Sequence, residues 1–113
     1  MGKTWKDKIE KIAERLGWSV DIGETIITFS QSSPEGQNCN IEIEANDYEE
    51  CLNRLEVWVE TYDVSEEAYI WLDSYGHGKN GAPYDMRDVY NDMEWFKNEA
   101  DELSTALRRE MNY

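Results

Sequence analysis

The sequence predicts an α+β fold in one domain of 113 residues, because two hydrophobic periods alternate along the chain. Apolar residues recur at helical spacing over 4–16, 48–62 and 85–107, whereas every second residue is apolar over much of 18–45. The first period is typical of amphipathic helices and the second of half-buried strands. We expect residues 1–63 to form a helix, a three-stranded antiparallel sheet and a second helix, and residues 64–113 to form a helical extension. A chain of this size can bury a core of its own without cross-links.

The first helix is predicted over residues 4–16. Thr4 is its expected N-cap, and Asp7 follows three residues later in a variant of the capping box. Gly17 supplies a residue that accepts the left-handed conformation at the helix end. One apolar face of the helix is formed by Trp5, Ile9, Ile12, Ala13 and Leu16.

Three strands are predicted next. Residues 18–22 alternate in polarity, Gly23-Glu24 resembles a two-residue hairpin turn, and 25–29 is rich in β-branched residues. The composition of 32–36 indicates a loop, and 39–45 alternates again. These strands should form an antiparallel meander with one apolar and one acidic face.

Helical spacing returns after residue 47. Asp47 is the expected N-cap of a second helix over 48–62. Ser65 could cap a third, short helix within 65–73, with Glu66 and Glu67 in its first turn, although a strand is the alternative there. We expect the helix.

A long last helix is predicted from Asp85, after a glycine-rich loop over 74–83. Its apolar residues follow a seven-residue repeat, so the helix could complete the core or pair with another helix in a homodimer. The seam of this repeat consists of Val89, Met93, Phe96, Ala100, Leu103 and Leu107.

The charge of the chain restricts its partners. Acids outnumber bases 25 to 11, which gives a net charge of −14. Direct binding to nucleic acid relies on Lys and Arg, and anionic membranes repel such a protein. The charged start at 1–6 does not resemble a signal peptide. We therefore expect a cytoplasmic protein in which Cys39 and Cys51 are reduced core residues.

The acids are concentrated in the middle of the chain, where residues 18–78 hold fourteen acids and one base. A solvated helix face is the simplest explanation for such a run. The alternative is a carboxylate array that imitates a nucleic-acid backbone and attracts a basic protein such as a nuclease or a host-defence effector. The residues predicted to make that contact are Glu42, Glu44, Glu49, Glu56, Glu60, Asp63, Glu66 and Glu67.

A second hypothesis concerns the loop Gly76–Gly81. Its glycines, with Lys79 and His77, could bind a small ligand or a nucleotide, since glycine lets backbone amides approach a phosphate. The spacing does not match a Walker A loop, and Asp85 would repel a phosphate at the helix start. Cys39 and Cys51 have no His or Cys at metal-ligand spacing. We expect no catalytic residue, cofactor or metal.

Two resemblances add to these patterns. The helix, three strands and helix over 4–62 resemble the layout of double-stranded-RNA-binding domains, but Asp47, Glu49 and Glu50 stand where those domains place lysines. The segments at 29–31, 34–37, 62–64, 71–73 and 76–83 resemble small acidic proteins of phages and conjugative elements in gut Gram-positive bacteria. Short acidic proteins on such elements include antirestriction and anti-CRISPR inhibitors. This resemblance implies a non-enzymatic inhibitor and assigns no residue a role.

Overall fold

The computed structural model describes residues 4–111 and confirms the α+β fold, with four helices and one antiparallel sheet in that range. Residues 1–3, part of the charged start that does not resemble a signal peptide, lie outside the described residues. The Cα envelope measures 54 × 22 × 22 Å, so the body is elongated. The elements in chain order are α1 (Trp5–Arg15), β1 (Ser19–Ile22), β2 (Ile26–Ser32), β3 (Asn38–Glu44), α2 (Tyr48–Thr61), α3 (Val64–Ile70) and α4 (Met86–Met111).

The sheet is a meander in the order β1-β2-β3, and its register places Val20 opposite Phe29 and Phe29 opposite Ile41. This row belongs to the apolar face, on which Phe29 and Ile41 are buried. The opposite face is acidic over only part of its area. One row across it is Ser19, Ser30 and Asn40, and carboxylates lie in the neighbouring rows at Asp21, Glu42 and Glu44. The predicted acidic face therefore carries its carboxylates in some rows and uncharged side chains in others.

The first hairpin turns one residue later than predicted. The amide of Gly23 donates to the carbonyl of Ile26 at 2.8 Å, so Glu24 and Thr25 form the turn and Gly23 belongs to the ladder. A Cβ at Gly23 would lie 2.9 Å from the Ile26 carbonyl oxygen. The glycine is needed for this close approach and not for a turn conformation.

The helix ends follow local hydrogen-bonding rules. Thr4 and Asp7 form the predicted capping box on α1, and Gly17 has a φ of 94° just after the helix. Asp47 caps α2 as predicted. The segment after residue 63 is a helix, but its N-cap is Asp63, whose carboxylate accepts the amides of Ser65 and Glu66 at 3.0 and 3.2 Å. The prediction that Ser65 caps α3 was wrong, because the carboxylate two residues earlier reaches the same free amides.

The long helix α4 completes the core. It runs antiparallel to α2, because Tyr48 at the start of α2 donates to the carbonyl of Leu107 and Tyr62 just beyond its end contacts Met93. The ring of Phe96 packs against Trp18, Trp58 and Tyr62 at centroid distances of 5.2 to 6.2 Å. All six seam residues are buried inside the chain. A homodimer through this seam would require α4 to leave its own core.

A buried polar cluster ties α4 to the loop between β2 and β3. Asp92 is 2% exposed and accepts a hydrogen bond from the Ser33 hydroxyl at 2.6 Å. The Ser33 oxygen in turn accepts from the backbone amide of Gln37 at 2.8 Å. Because a buried carboxylate is costly without a donor, this contact fixes the loop against the helix. Within residues 4–111, no helix combines the length and the apolar composition that crossing a membrane requires.

Candidate functional site

The structure divides the eight acids of the predicted contact into three groups. Glu42 and Glu44 form the first group, on the exposed face of β3. They line a groove of about 570 Å³ together with Arg54, Val57 and Thr61 of α2. Glu56 and Glu60 of α2 line a different groove, together with Arg108 and Arg109 of α4. Glu42 and Glu44 are therefore not continuous with the acidic stripe of α2.

Glu49 and Glu56 form the second group, beside Arg108 of α4. The guanidinium of Arg108 makes a two-pronged contact with the Glu56 carboxylate, with Nη2 to Oε1 at 2.5 Å and Nε to Oε2 at 3.1 Å. The hydrogen bond to Glu56 is the main cause that raises the pKa of Arg108, and the charge of Glu49 adds to it. The centre of the predicted phosphate-like stripe is thus neutralised by a residue of the same chain.

The third group is the corner between α2 and α3, and we call Glu60, Asp63, Glu66 and Glu67 the acidic corner. Burial raises the pKa of the Glu67 carboxyl, and the charges of Glu66 and Asp63 raise it further. The ion pairs that the described residues form are Arg15–Glu110, Arg54–Glu50 and Arg108–Glu56, and none involves this corner. Glu60 shares a groove with Arg108 and Arg109 at the edge of the corner. Negative charge is therefore least compensated at Asp63, Glu66 and Glu67.

The backbone amides of the glycine-rich loop donate hydrogen bonds to acceptors in the loop itself and in the residues that flank it. The Asp73 carboxylate accepts from the amides of Tyr75 and His77, and the Asp73 carbonyl accepts from Gly76. The next two amides, of Gly78 and Lys79, donate to carbonyls within the same segment. Five consecutive amides are thus engaged before any ligand arrives. A phosphate would have to break these bonds, so the geometry counts against the nucleotide hypothesis.

His77 and Lys79 have separate surroundings in this loop. The imidazole of His77 stacks on the ring of Tyr84 at 4.1 Å, and its Nε2 lies 3.1 Å from the Tyr84 hydroxyl. Lys79 is exposed. The ring of His77 thus serves to hold the loop closed.

Exposed aromatic and apolar side chains, which the sequence analysis did not identify, follow the acidic corner in the chain, and Tyr69, Ile70 and Tyr90 line one groove with Glu66 and Glu67. Eight large apolar or aromatic side chains are exposed among the described residues, and six of them fall within 69–90. Tyr69 is 77% and Ile70 62% exposed, because Ala68 is the buried residue of the short helix α3. The high density of tyrosines between residues 69 and 90 is the sequence signal that could have indicated these exposed side chains. The six are Tyr69, Ile70, Tyr75, Tyr84, Met86 and Tyr90.

Other chemistry-bearing residues lie in the core. Cys39 and Cys51 are free and buried, and burial is the main cause that raises the pKa of both thiols to about 12. Within the part of the chain that the structure describes, no group of three or more His, Cys, Asp or Glu residues could hold a metal ion.

Comparisons with known proteins add no assignment. The chain matches no protein-family profile, no curated protein and no solved structure.

Proposed function

We propose that this protein is a non-enzymatic binding protein whose acidic corner occupies a basic surface of another protein. The observation that carries the proposal is the carboxylate cluster of Asp63, Glu66 and Glu67, which no ion pair of the described residues compensates and which borders exposed apolar side chains. Uncompensated like charges lower the stability of a fold, so their retention on one surface is consistent with a use in recognition.

The contact that we propose is narrower than the eight predicted acids. Glu56 is engaged by Arg108, and Glu42 and Glu44 line a different groove. The contact therefore centres on Glu66 and Glu67, with Asp63 adding charge while it caps α3. Glu60 lies at its edge, in the groove that Arg108 and Arg109 also line. A regular phosphate-like spacing along α2 is not needed for this role, because steering of a basic partner depends on the summed field.

The resemblance to small acidic proteins of mobile genetic elements makes a DNA-cleaving enzyme the first partner to test. The basic cleft of a nuclease or of a host-defence effector binds a polyanion, and an acidic protein can compete for it. The proposed outcome is inhibition by occupation of the cleft, without covalent chemistry.

The test is a binding and competition assay against restriction endonucleases and RNA-guided nucleases. We expect displacement of labelled DNA, with an affinity that falls steeply between about 50 and about 200 mM salt. The double variant Glu60→Lys with Glu66→Lys should lose at least about tenfold in affinity, because each reversal replaces an attraction with a repulsion.

The matched control is Glu24→Lys with Glu35→Lys, which changes the net charge equally at two exposed turns remote in sequence from the corner. Circular dichroism spectra of both double variants should match that of the native chain, as a control that both variants fold. Equal weakening by the two variants, or an affinity that does not respond to salt, would contradict the proposal.

A further inference from the structure

We infer that the groove between α3 and the start of α4 is the docking site for an arginine-bearing segment of the partner protein. This inference rests on the proposed function and names the side chain that the partner presents. It is argued from the exposed aromatic side chains, from the carboxylates beside them and from the rigidity of the loop that joins the two helices.

The groove has a volume of about 660 Å³ and combines two kinds of lining. Tyr69 and Ile70 of α3 and Tyr90 of α4 line it, and Glu66 and Glu67 of α3 complete the lining. Monomeric proteins rarely gather exposed apolar side chains in one region without a partner, and tyrosine is enriched at the centres of interfaces. The groove thus has the composition of a recognition site, whereas the other exposed apolar residues, Ile26 and Val57, lie outside the segment 69–90.

Arginine is the side chain that fits both linings. Its planar guanidinium stacks on aromatic faces, forms paired hydrogen bonds with a carboxylate and is more weakly hydrated than an ammonium group. Lysine would satisfy the charge of Glu66 and Glu67 but would gain less from the tyrosine rings. Because tyrosine rings and carboxylates line the same groove, the groove favours an arginine over a lysine. The negative charge alone would not distinguish the two side chains.

The groove is held in shape by the loop between its two helices. Asp73 binds the amides of Tyr75 and His77, and the amide of Lys79 donates to the carbonyl of Trp71 at 2.8 Å, directly after α3. The stack of His77 on Tyr84 closes the other side of the loop, just before α4. Tyrosine side chains on two helices that are joined in this way lose little conformational entropy on binding.

The experiment titrates the full isotope-labelled chain with a short peptide of alternating arginine and glycine, and separately with its lysine counterpart. Chemical-shift changes for the arginine peptide should centre on the amides of α3 and on Tyr90. We expect the arginine peptide to bind at least about threefold more tightly than the lysine peptide at equal salt. Tyr69→Ala and Tyr90→Ala should each weaken the arginine peptide by about threefold and bring the two peptides closer in affinity.

The control is Val57→Ala, an exposed apolar truncation on α2, which should leave both affinities unchanged. Equal affinity for the two peptides, or shifts centred on Glu42 and Glu44, would overturn the inference and leave the acidic corner as a purely electrostatic contact. The nuclease assay decides the proposed function separately. If the native chain binds no nuclease but still prefers the arginine peptide in the groove, the proposed function is overturned and the inference of an arginine-binding groove is supported.

Discussion

Glu67 shows how the fold changes the behaviour of a single residue in the acidic corner. Its side chain is partly covered at α3, and Glu66 and Asp63 lie near enough to raise its pKa further. The folded protein thus holds a proton on Glu67 more tightly than the unfolded chain does. By linkage, ionisation of Glu67 lowers the free energy of unfolding. This loss of stability develops as the pH rises above the pKa that the carboxyl has in the unfolded chain.

We therefore predict that Glu67→Gln raises the melting temperature at pH 7. The difference from the native chain should shrink as the pH falls and vanish below about pH 4, where the carboxyl is protonated in both states. Thermal unfolding monitored by circular dichroism between about pH 3 and about pH 8 measures it. Glu35→Gln, at the exposed tip of the β2–β3 loop, is the control. A gain that is independent of pH would contradict this account.

Single residues also show what the sequence could reveal about the site. Thr4, Asp7 and Asp47 were predicted correctly as caps because capping acts over three residues of chain. The partner of Glu56 could not be predicted, because Arg108 lies 52 residues away and only the antiparallel packing of α2 and α4 brings them together. A charge stripe in a sequence therefore does not reveal which of its members are neutralised.

The loop between α3 and α4 is the element on which the hypothesis of ligand or nucleotide binding depended. The sequence revealed its glycines, but not that the amides between them are already bonded to the loop itself. Gly78 is the residue at which a side chain has no room, because a Cβ there would lie 1.7 Å from the carbonyl oxygen of Pro83. Gly81 offers a comparison, since a Cβ there would meet open space.

We predict that Gly78→Ala opens the loop. The amides of Gly78 and Lys79 should lose their partners, so hydrogen exchange measured by NMR should accelerate at both amides and at His77. Gly81→Ala must adopt a φ of 89° and should cost about 1–2 kcal/mol, but the loop amides should stay protected because the added Cβ meets open space. Protection that survives in Gly78→Ala would show that the loop is not closed in this way.

The nature of α3 illustrates the limit of periodicity in a short element. Seven residues give about two helical turns, and Ala68 is the one that is buried. The apolar pattern at 69–72 therefore did not follow either period. The N-cap at Asp63 is a local signal that distinguishes helix from strand in α3. It lies just before the segment 65–73 for which the prediction was made.

At the scale of the whole molecule, α4 determines how the parts are joined. Its 26 residues extend about 39 Å, most of the 54 Å length of the body. The seven-residue repeat correctly indicated a continuous buried seam. Periodicity could not show whether the seam packs against the chain's own core or against a second copy, because the same apolar stripe serves both kinds of contact.

Phe96 connects α4 to both the sheet region and α2, since its ring contacts Trp18 next to the sheet and Trp58 on α2. We predict that Phe96→Ala lowers the free energy of unfolding by about 3–5 kcal/mol. Urea unfolding followed by tryptophan fluorescence and by far-ultraviolet circular dichroism should give coincident, shifted transitions. Asn98→Ala, exposed on the same helix, should change little, and a comparable loss in it would assign the effect to the helix rather than to the aromatic cluster.

The two buried thiols make the native chain suitable for site-directed labelling. Both thiols are buried, and burial raises their pKa to about 12, so Cys39 and Cys51 offer maleimide reagents little accessible thiolate at pH 7. A cysteine introduced at the exposed position of Tyr75 would then carry a fluorophore or a spin label as the sole reactive sulfur. Distances from that probe to a bound partner can be measured without first removing either native cysteine.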